Sequence, residues 1–193
     1  MRLPAAMLIA TTLALSATTA SADIQAYQGS FAAEASGATG TGMLWLTYDS
    51  DAHTLQINAT WAGLSGTTTN AHIHCCTAAP NTGTAGVALA ESGRLPGFQN
   101  GLTAGSYTRL IDLTQMGQYN ASFVTASGGT AAGAEARLIS QLALGQAYFN
   151  IHTSTFAGGE IRAFVTAVPE PATYGMTLAG LALLAVAARR RRG

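Results

Sequence analysis

The chain has 193 residues, enough for one domain of ordinary size and too few for two. Charged residues make up 9% of it, against about 25% in an average soluble protein, and lysine is absent. That balance excludes charge-driven disorder and a basic nucleic-acid-binding face, so no nucleic acid is expected as a partner. The zero formal charge conceals an uneven distribution. Arg2 and Arg189 to Arg192 stand in the two terminal segments, which leaves the middle of the chain mildly acidic.

Residues 1–22 read as a secretory signal peptide. Arg2 supplies the positive start, an apolar run extends from Ala5 to Leu15, and Ala20 and Ala22 are the small residues that signal peptidase must accommodate. Cleavage after Ala22 leaves Asp23 as the mature N-terminus.

From Tyr27 to Ala167 short β-branched or aromatic runs alternate with turn residues, the pattern of strands. Strands are predicted at Gln25–Ala33, Gly42–Tyr48, Thr54–Trp61, Asn70–Cys75, Ser106–Asp112, Ala147–Thr153 and Glu160–Thr166. The second and third flank Asp49-Ser50-Asp51-Ala52-His53 and should form a hairpin, with Leu55, Ile57, Ala59 and Trp61 on one face. Residues 77–104 lack periodicity and read as a long loop. Ala131 to Leu144 differs, because Ala134, Leu138, Ile139 and Leu142 recur at helical spacing and predict one short amphipathic helix. The expectation is a mainly β domain over 23–167, an antiparallel sandwich or barrel with that helix packed on it.

No nucleophile elbow, zinc-protease helix or phosphate-cradling loop occurs, so a non-catalytic protein is expected. Asn58-Ala59-Thr60 and Asn120-Ala121-Ser122 match the glycosylation acceptor pattern and are read as chance. The chemistry-bearing residues are histidines. Alternation on a strand projects His72 and His74 from one face, and His152 ends another strand. With His53 as a candidate fourth ligand, these could form a copper or zinc site resembling the His-x-His strand of superoxide dismutases. The competing expectation, favoured on sequence, is a structural polar cluster of His72, His74 and His152 with Asn150, Glu160 and Arg162. Cys75 and Cys76, the only cysteines, must pair together, pair between chains or bind metal in an oxidising compartment; an intramolecular vicinal disulfide is expected.

At the C-terminus Pro169-Glu170-Pro171 precedes an uncharged, mostly apolar stretch, Ala172 to Ala188, and then Arg189, Arg190, Arg191 and Arg192. Seventeen helical residues would span about 25 Å, so a single transmembrane helix with its basic end inside is expected. This order of features resembles the PEP-CTERM sorting signal of Gram-negative bacteria. The resemblance implies recognition and removal of the tail, within 168–193, by an exosortase, in cells that commonly make extracellular polysaccharide.

Ala71-His72-Ile73-His74, Ala147 to Thr153, and Gly158-Gly159-Glu160-Ile161-Arg162 resemble the pattern of the CHRD domain, named for chordin. The chain departs from it at Cys75-Cys76, where Gly-Pro usually follows the first histidine pair. The resemblance implies a secreted binding module at the cell surface or in the extracellular matrix. Extracellular polysaccharide or surface proteins are then the expected partners.

Overall fold

The computed structural model describes residues 23–90 and 93–169, with isolated positions 180, 181, 184 and 189 beyond them. Residues 1–22, and with them Ala20 and Ala22, lie outside the described residues, as do Glu170, Pro171 and Arg190 to Arg192. The span expected over 172–188 falls almost wholly outside them too. No helix among the described residues is long and apolar enough to cross a membrane.

The strands are β1 (Ile24–Ala33), β2 (Thr41–Asp49), β3 (Thr54–Ala62), β4 (Thr68–Cys75), β5 (Val87–Leu89), β6 (Gly105–Asp112), β7 (Ala147–Thr153), β8 (Ile161–Phe164) and β9 (Thr166–Val168). They form one antiparallel curled sheet, a half-barrel in the order β5-β4-β7-β8-β1-β2-β3-β6, with β9 paired to β1. Strand β1 makes the curl. Residues 24–31 pair with β2, whereas Ala32 and Ala33 pair with β8. The two halves therefore face each other across the core, where Phe31 of β1 meets Phe149 of β7 edge-on at 5.6 Å.

The hairpin forms as expected. Its turn is held by Asp49, whose Oδ1 accepts the N–H groups of Asp51 (3.0 Å) and Ala52 (2.9 Å). Leu55, Ile57, Ala59 and Trp61 are buried, as are Leu44, Leu46 and Tyr48 opposite them. The predicted helix is α2 (Ala131–Ala143); Thr130 caps its start by accepting the Gly133 N–H at 3.0 Å. Its apolar face buries Ala134, Leu138, Ile139 and Leu142.

The structure corrects several boundaries. The strand expected at Glu160–Thr166 is divided into β8 and β9. The 77–104 segment contains the short strand β5. A second helix, α1 (Ala121–Ala126), was not expected from periodicity. Asn120 caps it, accepting the Ser122 N–H at 2.9 Å, so the tripeptide that mimics a glycosylation acceptor is a helix start.

Candidate functional site

Strands β4, β7 and β8 carry two sets of side chains. Ala71, Ile73, Phe149, Ile151, Ile161 and Ala163 face the core and are fully buried. The alternate set is polar or aromatic. The register places His72 opposite Asn150, His74 opposite Tyr148, and Asn150 opposite Arg162. His152 lies opposite Asn70, so it reaches His72 diagonally.

This outer face is covered by loops, and the loops present carbonyls. His72 Nε2 lies 2.7 Å from Gly93 O, His74 Nδ1 lies 2.9 Å from Ala85 O, and His152 Nδ1 lies 2.7 Å from Ala157 O. His72 Nδ1 is 3.0 Å from His152 Nε2. One ring nitrogen from each of His72, His74 and His152 falls within 4.8 Å of the others. Burial lowers the pKa of His72 and of His74, so both rings favour the neutral form near pH 7.

The planes of the rings are fixed. His74 stacks on Tyr148, centroids 4.9 Å apart and 3° from parallel. The Arg162 guanidinium lies over Tyr148 at 5.3 Å and donates to Gly83 O at 2.6 Å. Glu34, which follows β1, accepts from Asn150 Nδ2 at 3.3 Å and pairs with Arg162 at 3.7 Å. Tyr148 and Glu34 were not singled out in the sequence. Tyr148 could have been, because it shares the alternation of Asn150 and His152; Glu34 has no such signal.

Two expected members lie elsewhere. Glu160 stands one residue before β8, after Gly159 at φ 120°, so strand alternation does not extend to it. Its fully buried carboxylate accepts from the Ser65 N–H (2.5 Å), the Thr153 hydroxyl (2.7 Å) and the Gly66 N–H (3.4 Å). His53 sits at the β2–β3 turn, where its Nδ1 pairs with Glu135 of α2 at 2.9 Å. It is not part of the three-histidine group. Cys75 and Cys76 are joined in a vicinal disulfide where β4 ends.

A family model described as the CHRD domain matches residues 21–165. The chain belongs to the CHRD domain family. A second model, the PEP-CTERM protein-sorting motif, matches residues 167–192, directly behind the CHRD domain. That motif marks the protein for export and for exosortase processing towards the cell surface. Comparisons with curated proteins and with solved structures give no match.

Proposed function

We propose that this CHRD domain is a non-catalytic binding module, displayed at the cell surface or in the matrix, whose partner is a neutral extracellular polysaccharide. Trp45 carries this reading. It is 41% exposed, on the face of β2 that points away from the core. In the ladder its neighbours across the strands are Gln28 on one side and Asn58 on the other, with Thr108 beyond. The next row is Ser30, Met43, Thr60 and Ser106. An open cleft of about 320 Å³ borders the platform and is lined by Gln28, Ser30, Met43 and Thr166.

An indole lying among amides and hydroxyls, with no charge in either row, suits a sugar ring. The aromatic face packs on C–H groups, while the polar neighbours bond the hydroxyls. A charged polymer would find no counter-charge there. Affinity electrophoresis through neutral and through uronic-acid-containing polysaccharides tests the proposal. The wild type should be retarded by a neutral polymer and Trp45→Ala should migrate freely. Equal mobility of both proteins in every neutral polymer would overturn it.

A further inference from the structure

We infer that His72, His74 and His152 form a binding site for one copper or zinc ion. The argument starts from what a carbonyl oxygen can do, which is only accept. Three ring nitrogens face backbone carbonyls at hydrogen-bond distance: His72 Nε2 at Gly93, His74 Nδ1 at Ala85 and His152 Nδ1 at Ala157. Each of those nitrogens must carry the hydrogen. In a neutral imidazole the other nitrogen is then a bare lone pair. The loops thus set all three tautomers, and the bare nitrogens are His72 Nδ1, His74 Nε2 and His152 Nε2.

These bare nitrogens have no partner suited to them. His72 Nδ1 and His152 Nε2 meet at 3.0 Å, two acceptors facing each other. His74 Nε2 is buried with no hydrogen-bond partner. The other unpartnered polar atom of this face, Asn150 Oδ1, is itself an acceptor and cannot serve it. A proton shared by His72 and His152 would relieve that pair and leave His74 unserved. A cation serves all three lone pairs at once.

The dimensions agree. A tetrahedral ion with metal–nitrogen bonds of about 2.0–2.1 Å holds its ligand nitrogens roughly 3.3 Å apart. The 3.0 Å pair is close to that spacing, and one ring nitrogen from each of the three histidines lies within 4.8 Å of the others. A histidine ligand ordinarily donates its second N–H to a carbonyl or carboxylate, which fixes ring and tautomer; here all three do so. Three neutral nitrogens without hard oxygen ligands favour copper or zinc over magnesium or calcium. The site stands on the β4–β7 half of the sheet, away from the Trp45 row, and is independent of polysaccharide binding.

The test uses exported protein made without a histidine tag, stripped with chelator and titrated with Cu(II) and with Zn(II). One equivalent should bind. A free-ion concentration of 100 times Kd should raise the melting temperature by about 5–10 °C. The Cu(II) electron paramagnetic resonance signal should show coupling to three nitrogens. His152→Gln should weaken binding at least tenfold, whereas His53→Gln, which touches a different cluster, should leave it unchanged. Should His152→Gln fail to fold, His74→Gln replaces it and should lose one nitrogen from the Cu(II) spectrum. Absence of any melting shift with both ions would overturn the inference, as would loss of binding in His53→Gln alone.

Discussion

Glu135 of α2 accepts a hydrogen bond from the Tyr48 hydroxyl at 2.7 Å and, from the same side, holds His53 Nδ1 at 2.9 Å. One carboxylate thus ties the helix to both ends of the β2–β3 turn. The bond to Glu135, and then its charge, raise the His53 pKa above its ordinary value, with smaller help from Asp51 and Asp112. A base whose pKa is raised by folding stabilises the native state fully below the unfolded value and progressively less above it. The melting temperature should therefore decline as pH rises from about 6.5 through the folded pKa. His53→Gln should flatten that slope, while Glu135→Ala, which leaves the Tyr48 hydroxyl without its partner, should cost about 1–3 kcal/mol in denaturant melts. An unchanged slope in His53→Gln would remove the latch.

What the sequence made legible was whatever depends on period. Leu55, Ile57, Ala59 and Trp61 are buried at period two, and Ala134, Leu138, Ile139 and Leu142 at helical period. Alternation put His72 and His74 on one face, while the closeness of His152 was expected only from the family pattern and is supplied by the pairing of β4 with β7. Their tautomers did not, because they are set by the backbone carbonyls of Gly93, Ala85 and Ala157, and a carbonyl leaves no trace in residue identity. Glu160 was misplaced because the strand was expected to begin at Glu160, whereas β8 begins at Ile161, and Glu160 belongs to the turn behind Gly159 at φ 120°. Helix α1 spans only Ala121–Ala126, too short to show a period.

Glu160 should be among the least replaceable residues of the closing segment. Burial pushes its carboxyl up, but the combined hydrogen bonds from Ser65, Thr153 and Gly66 outweigh this and hold the pKa below its ordinary value. For an acid the sign is opposite to that of His53. The stabilisation is present above the unfolded value and is lost as pH falls through the folded one. Glu160→Ala would leave the Ser65 N–H and the Thr153 hydroxyl unpaired inside the protein, at about 1–3 kcal/mol for each buried group. Urea melts at pH 7 should show that loss, and Glu160→Gln, which keeps one acceptor, should recover part of it. Equal stability of Glu160→Ala and wild type would refute the role.

Gly145 sets the entry to β7, and so to the strand that carries Tyr148, Asn150 and His152. Helix α2 ends with the Gly145 N–H bonded to Leu142 O at 3.0 Å and the Gln146 N–H bonded to Gln141 O at 2.8 Å, a Schellman closure. That closure places Gly145 at φ 68°, where a β-carbon is strained. A side chain there would also meet Asn81 Oδ1 at 2.9 Å. Gly145→Ala should cost about 1–2 kcal/mol from the left-handed backbone alone. Gly128 has φ 90° with nothing near its missing β-carbon, so Gly128→Ala should cost the backbone strain without the clash. A Gly145→Ala protein as stable as wild type would show that the turn can be rebuilt.

The position of β9 predicts how processing leaves the domain. Thr166 to Val168 pair with Gln28, Tyr27 and Ala26 of β1, and the sorting motif runs on from there. Removal of the tail near Pro169-Glu170-Pro171 should therefore spare every strand of the sheet. A chain ending at Val168 should melt at the temperature of the processed protein. A chain ending at Phe164 should not, because it loses β9 together with Val165, which is fully buried. Burial of that side chain alone is worth about 1.5–3 kcal/mol. In a host with an exosortase, intact mass should show a mature form without Arg189 to Arg192. Glu170→Ala should accumulate as the full-length form in the membrane fraction. A native protein whose mass includes Gly193 in such a host would mean that the motif is not processed.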